Sequence, residues 1–131
     1  MIWLMACLMS VVMMGSAWGG PPSEVVGQAY ARDGDDLVID GKRIRLHGID
    51  AFERNQICIK DGTVWPCGME AWRNLQELVA GQQVRCVLAQ ANETRGRPVM
   101  RCYTGVLELN AEMVRLGLAV DCVRQNYCAP R

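Results

Sequence analysis

The stretch LVIDGKRIRLHGI (37–49) decides the fold of this 131-residue chain. Two runs rich in β-branched and aliphatic residues flank Asp40-Gly41, and an Asp-Gly pair between such runs is a strong signal for a tight β-hairpin. A second Asp-Gly pair, Asp33-Gly34, follows EVVGQAYA (24–31), whose composition is typical of a strand. The sequence therefore predicts three consecutive antiparallel strands, over 24–31, 37–40 and 43–49.

The rest of the chain is predicted to hold two helices and two more strands. A helix is expected over 68–80, strands over 82–90 and 97–105, and a short helix over 111–117 with Asn110 as its cap. The apolar face of the first helix is formed by Met69, Trp72, Leu75, Leu78 and Val79. The order β-β-β-α-β-β-α predicts a mainly β domain with helices, a five-stranded OB-fold barrel.

The first residues have the layout of a secretory signal peptide. Residues 2–14 carry no charge and are apolar apart from Ser10, a run too short to span a membrane. Small residues, GSAWGG (15–20), follow this run. We therefore expect a signal peptide over 1–19, a mature domain over 20–131 in the periplasm or outside the cell, and no membrane anchor after cleavage.

Six cysteines remain after such a cleavage, and an even number in a small exported domain indicates disulfides. A zinc site is the alternative, but no Cys-x-x-Cys pair occurs and His47 is the single histidine. The spacing favours sequential pairing of the cysteines, with the first pair stapling a loop predicted over 54–66. The expected disulfides are Cys58–Cys67, Cys86–Cys102 and Cys122–Cys128.

The charge balance limits the ways in which this protein can bind a polyanion. The chain has 14 Lys and Arg residues against 14 Asp and Glu residues, so its net charge is zero. A general basic coat for nucleic acid is therefore excluded, and any polyanion would be bound locally. Twelve of the cations are arginines, whose forked guanidinium suits phosphate.

Three separated motifs place charged residues at the ends of predicted strands. They are DGD (33–35) at the first hairpin, RLHGIDAFE (45–53) at the end of the third strand, and GR (96–97) before the fifth. Together they resemble the thermonuclease family of staphylococcal-nuclease-like domains. The stretch LNAEMVRLGLA (109–119) in the second helix extends the likeness, which runs over about residues 24–120. Each motif alone has an ordinary explanation, such as turn chemistry for DGD, so the inference depends on their order.

The resemblance implies a calcium site and a set of catalytic side chains. The implied ligands are the carboxylates of Asp35 and Asp50 and the backbone carbonyl of Ala51, and oxygen ligands suit Ca²⁺. Carboxylates also serve Mg²⁺ and Mn²⁺, so either ion is an alternative. The implied catalytic residues, two for the phosphate and one for the attacking water, are Arg45, Arg97 and Glu53.

This sequence departs from the family pattern at two positions near that site and in its tail. Phe52 replaces the usual Pro, which predicts a less constrained path to Glu53. Asp36 replaces the usual Thr and adds a negative charge beside the metal site. The tail after Ala119 is too short for the third helix and the tyrosines that the family commonly has there.

Two functions follow from these observations. The first is a metal-dependent nuclease that hydrolyses phosphodiester bonds of DNA or RNA, working as a monomer without a stable protein partner. The second is a non-catalytic OB-fold binding module for nucleic acid, or an envelope protein associated with exopolysaccharide (succinoglycan) biosynthesis. A purely structural role would leave the charged motifs unexplained. His47 alternates with Arg45 along a strand and is expected to be a packed or rim residue rather than a general acid.

Overall fold

The structure, a computed structural model, describes residues 19–94 and 96–125. Along these residues strands alternate with two helices. In chain order they are β1 (Glu24–Asp33), β2 (Asp36–Ile39), β3 (Lys42–Leu46), β4 (Ile49–Ala51), β5 (Cys58–Lys60), β6 (Thr63–Trp65), α1 (Cys67–Val79), β7 (Gln83–Thr94), β8 (Arg97–Thr104), β9 (Leu107–Glu108), α2 (Leu109–Arg115) and β10 (Ala119–Asp121).

Five of the strands close into a barrel. They run in the order β3-β2-β1-β7-β8, and β3 also pairs with β8, so the sheet returns on itself. This closing pair is parallel, with Arg45 opposite Val99 and Leu46 opposite Met100. Helix α1 separates the third and fourth barrel strands along the chain. The predicted five-stranded OB-fold barrel is therefore confirmed.

The hairpin at Asp40-Gly41 forms as its sequence predicts. Both residues have positive φ, 49° and 76°, the combination that a two-residue type I′ turn requires. This turn joins β2 to β3 with Ile39 opposite Lys42. The turn thus fixes the register in which the apolar residues of both strands face the core.

The core lies inside the barrel and beneath α1. Fully buried side chains come from β2 and β3, from the inner face of α1 and from α2, and each such burial contributes about 1.5–3 kcal/mol. They include Leu37, Ile39, Ile44, Leu46, Leu75, Val79 and Met113. On α1 the buried stripe runs through Ala71, Leu75 and Val79, while Trp72 and Leu78 pack against its edge.

The third strand is shorter than predicted. The expected run over 43–49 divides into β3, which ends at Leu46, and β4, which begins at Ile49. Strand β4 leaves the barrel and pairs with β10, so that Ala51 lies opposite Ala119. The side chain of Arg45 bridges the break, because its Nη2 donates to the Ile49 carbonyl at 3.1 Å.

The prediction that Asn110 caps the second helix is wrong. Helix α2 begins at Leu109, and Asn110 is buried inside its first turn. Its side-chain amide donates to the carbonyls of His47 and Met100, and its oxygen accepts from the Cys102 N–H. Asn110 therefore ties α2 to β8 and to the turn after β3.

Two of the predicted disulfides are confirmed. Cys58–Cys67 and Cys86–Cys102 are bonded, the second between directly opposed residues of β7 and β8. Cys122 is also disulfide-bonded, whereas its predicted partner Cys128 lies outside the described residues. The first disulfide staples the predicted loop, which contains the β5–β6 hairpin.

Disulfides persist in oxidising compartments and so indicate an extracytoplasmic environment. The predicted signal peptide, residues 1–19, lies outside the described residues except for its last residue. Within the described part of the chain, neither helix is long and apolar enough to cross a membrane.

Candidate active site

A polar cavity of about 330 Å³ lies where the β1–β2 turn, β3, the segment after β4 and the start of β8 meet. Its walls carry five arginines and four acidic residues, so charges of both signs are concentrated here with one cation in excess. The lining residues are Arg32, Asp33, Asp35, Asp36, Arg43, Arg45, Glu53, Arg54 and Arg97. Four of the six predicted site residues, Asp35, Arg45, Glu53 and Arg97, are therefore brought together.

Arg45 and Asp35 form a buried ion pair in this wall. Arg45 Nη1 lies 3.1 Å from Asp35 Oδ2, and the two side chains are 10% and 7% exposed. The same carboxylate oxygen accepts the Ala51 N–H at 3.0 Å. With its other nitrogen on the Ile49 carbonyl, Arg45 has a fixed orientation across the end of β3.

Arg97 is held by Asp36, one of the two residues near the site that depart from the family pattern. Its Nη1 lies 2.7 Å from Asp36 Oδ2, and Arg43 Nη2 lies at the same distance from the same oxygen. Asp36 and Arg97 are both buried, while the Arg43 side chain is 43% exposed. The sequence singled out Asp36 as an added charge, but its pairing with a residue 61 positions away was missed.

Glu53 lies at the mouth of the cavity in a tight turn. Its side chain is exposed, its N–H donates to Gln56 Oε1, and its carbonyl accepts the Gln56 N–H at 2.8 Å. The first turn of α1 packs closely against this turn, and a side chain at Gly68 would not fit: a Cβ placed there would lie 1.7 Å from the Glu53 carbonyl oxygen. The Glu53 backbone is thus positioned by the helix.

The path to Glu53 is constrained despite the missing proline. Phe52 is half-buried and packs against Trp65 of β6, with ring centroids 5.6 Å apart. Trp65 is held beside α1 because β5 and β6 are tied to the helix start by Cys58–Cys67. The Phe52–Trp65 contact and the Cys58–Cys67 disulfide therefore restrict the backbone at this position, as the usual proline ring would.

Arg54 lies over an aromatic ring at the cavity edge. Its guanidinium carbon is 4.2 Å from the centroid of the Trp72 ring, a cation–π contact. The indole is itself fixed, because Trp72 Nε1 donates to the Ala31 carbonyl at 2.9 Å. The sequence assigned no role to Arg54, although its position directly after Glu53 was a signal.

Asp50 and Ala51 are not among the cavity-lining residues. Both belong to β4, and Asp50 is half-buried opposite Val120 of β10. The contact from the Ala51 N–H nevertheless brings the Asp35 carboxylate to the residue that follows Asp50. The two predicted carboxylate ligands thus come from elements that touch.

The donor chemistry fits a hard divalent cation with few protein ligands. Asp35 and Asp50 offer carboxylate oxygens, the ligands that Ca²⁺ and Mg²⁺ prefer. Within the described residues, no group of three or more His, Cys, Asp or Glu side chains is placed to share an ion. A cation at this point would therefore take the rest of its shell from carbonyl, water or phosphate oxygens.

His47 lines a different cavity, of about 320 Å³, together with Arg101 and Glu108. Burial lowers the pKa of the His47 imidazole, Arg101 lowers it further, and Glu108 partly opposes both effects. Glu53 does not line this cavity. His47 is therefore separated from the arginine-rich site.

Comparison with known proteins agrees with the topology and with the motifs. Residues 43–129 match the family model described as staphylococcal nuclease homologue. The chain belongs to that family. As a staphylococcal nuclease homologue it carries Arg45, Glu53 and Arg97 inside the matched region, while Asp35 and Asp36 precede it.

This staphylococcal nuclease homologue is also similar to the succinoglycan biosynthesis protein ExoI of Rhizobium meliloti (strain 1021). The two are 33% identical over 119 residues, which cover 88% of this chain and 61% of ExoI. The chain thus spans about three fifths of the length of that relative.

Proposed function

We propose that this protein is a periplasmic or secreted nuclease that hydrolyses phosphodiester bonds of DNA or RNA in its arginine-rich cavity. The observation that carries the proposal is the convergence of Arg45, Glu53, Arg97 and Asp35 on one cavity from separate segments of the chain. Because the chain as a whole has no net charge, the five arginines of this cavity are the natural place for a polyanion.

In this mechanism Glu53 acts on the attacking water. Its carboxylate is exposed at the cavity mouth, where a water between it and a bound phosphodiester can be oriented and can give up its proton. The fixed turn from Phe52 to Gln56 limits the positions that this carboxylate can reach. Such preorganisation is what a water-orienting residue requires.

Arg45 and Arg97 stabilise the negative charge that builds on the phosphoryl oxygens. Both side chains are buried and paired with carboxylates, which set the orientation of each guanidinium before the substrate binds. Their fixed guanidinium planes suit forked contacts with non-bridging oxygens. Each arginine thus supplies a positive charge that is already oriented, unlike the mobile charge of a surface side chain.

A calcium ion is the proposed cofactor, with Asp35, Asp50 and the carbonyl of Ala51 as its protein ligands. When bound, the ion supplies positive charge that polarises a phosphoryl oxygen. The proposal draws on the family resemblance and on the Asp35 carboxylate, which accepts the N–H of Ala51, the residue after Asp50.

The experiment is cleavage of plasmid DNA and of RNA by the purified, oxidised protein, with Ca²⁺ or with a chelator. We expect cleavage with Ca²⁺ and its loss with the chelator. Mg²⁺ and Mn²⁺ in parallel reactions determine which ion serves best. No metal-dependent cleavage of either nucleic acid would contradict the proposal.

A second candidate is a non-catalytic binding module with an envelope role in exopolysaccharide biosynthesis. It is favoured by the similarity to ExoI, whose name describes succinoglycan biosynthesis, and by the carboxylate of Asp36 that already occupies Arg97. Saturable binding of an oligonucleotide or of an acidic polysaccharide without any cleavage would select this candidate over the first.

A further inference from the structure

Asp36 joins two arginines through one oxygen atom. Arg43 Nη2 and Arg97 Nη1 both lie 2.7 Å from Asp36 Oδ2. The three side chains come from β2, β3 and β8, strands that the closed barrel holds in fixed register. Two guanidinium groups therefore converge on a single point in the cavity wall.

Among the described residues, the other oxygen of the same carboxylate has no hydrogen-bond partner. This atom, Asp36 Oδ1, is buried, and the Asp36 side chain is only 4% exposed. A buried carboxylate oxygen without a donor costs free energy. Both arginines have an acceptor in Asp36, but within the described part of the chain only one of the two Asp36 oxygens has donors. Such an imperfect partner is open to displacement by an anion with more acceptor oxygens.

A tetrahedral oxyanion has the chemistry to compete for this position. Phosphate presents several acceptor oxygens, and guanidinium groups bind it through paired hydrogen bonds. Access is from the Arg43 side, because that side chain is 43% exposed while Asp36 is 4% and Arg97 10% exposed. Arg43, Asp36 and Arg97 all line the same cavity.

We propose that Arg43 and Arg97 form an oxyanion-binding pair, and that Asp36 competes with phosphate for this pair and so sets the phosphate affinity of the cavity. The inference deepens the proposed function and rests on the cavity being its phosphate site. It adds Arg43 as a binding residue. Asp36 is a specificity-determining residue that substrate phosphate must displace.

The test is the binding of inorganic phosphate at constant ionic strength, measured calorimetrically for wild type and Asp36→Asn. Asparagine keeps an acceptor oxygen for the arginines but removes the competing charge. We expect phosphate to bind about tenfold tighter to the variant, as one charge-assisted contact no longer has to be broken. Unchanged or weaker phosphate binding by a folded Asp36→Asn variant would overturn the inference.

Two further variants separate this effect from a change in overall charge. Asp61→Asn removes the same charge at an exposed turn that does not line this cavity, and it should leave phosphate binding unchanged. Adding Arg43→Gln to Asp36→Asn should abolish the gain. A gain that survives loss of Arg43, or that Asp61→Asn reproduces, would count against the arginine pair.

The wild-type protein gives a test that does not depend on how the variants fold. During a phosphate titration, the ¹⁵N-edited signals of the Arg43 and Arg97 Nε–H groups should shift together. Saturation without movement of these two signals would overturn the proposal. Because phosphate binding is measured without turnover, absence of nuclease activity leaves this result unaffected, and the two proposals can fail separately.

Discussion

The ring of Phe52 meets the indole of Trp65 edge-on, with planes inclined at 80° and centroids 5.6 Å apart. This contact links the residue before Glu53 to the β5–β6 hairpin, which Cys58–Cys67 ties to the start of α1. The segment that presents the proposed water-orienting carboxylate is therefore anchored by side-chain packing.

Replacing Phe52 with Ala should lower kcat for nucleic-acid cleavage by about ten- to a hundredfold, because small displacements of a reacting group are costly. KM should change little, since the arginines proposed to hold the phosphate are untouched. Tyr30→Ala, at a position 57% exposed on β1, is the control and should retain wild-type kinetics. Equal losses in both variants would argue against a positioning role for Phe52.

The Cys86–Cys102 disulfide is buried in the barrel wall and closes a separation of 16 residues. Replacing both cysteines with Ala should lower the free energy of unfolding by about 3 kcal/mol in denaturant titrations. Reductant should then lower the Tm of the wild type more than that of the variant. A Tm of the wild type that reductant leaves unchanged would contradict the stapled barrel.

Asn110 makes three hydrogen bonds, two of them fully buried, that join α2 to two other segments. Asn110→Ala leaves the two carbonyls and the Cys102 N–H without this partner, so unfolding should require about 2–4 kcal/mol less free energy. Asn74→Ala is the matched control, because Asn74 donates one bond within α1 to the Glu70 carbonyl. Similar losses of unfolding free energy in the two variants would show that the three bonds of Asn110 stabilise the fold no more than the single bond of Asn74.

The pKa of His47 is lowered from its ordinary value of 6.5, first by burial and then by Arg101. The folded protein therefore binds this proton less well than the unfolded chain does. His47 contributes stability above pH 6.5 that is lost as the pH falls through its lower folded pKa. Urea titrations of His47→Gln should show a flatter decline of stability below pH 6.5. An identical pH dependence in the two proteins would refute this role.

Local chemistry made most of the fold predictable. Asp40-Gly41 specified its turn because both residues adopt positive φ. The alternation of apolar residues around Val84 and Cys86 specified a strand, in which Cys86 lies opposite its disulfide partner Cys102. The break between β3 and β4 was not predictable in this way. It depends on the pairing of β4 with β10, a contact between residues about 70 positions apart.

The site was predictable to the extent that its residues fall in motifs. Arg45, Glu53 and Arg97 could be named from their motifs and do line one cavity. The partners of these residues could not be named, because Asp36 reaches Arg97 only after the barrel closes. Phe52 likewise suggested a loose turn until its contact with Trp65 was seen.

The central claim is that Glu53 orients or activates the water that attacks a phosphodiester bond. It is tested most directly by the rate of cleavage of a fluorescently labelled oligonucleotide in Ca²⁺ by the wild type, Glu53→Gln and Glu77→Gln. Glu77 is exposed on α1 and does not line the cavity, so its variant controls for the lost charge.

We predict a rate for Glu53→Gln at least about a hundredfold below that of the wild type, with unchanged oligonucleotide affinity and Tm. Glu77→Gln should cleave at the wild-type rate. Cleavage by Glu53→Gln at the wild-type rate would contradict the account.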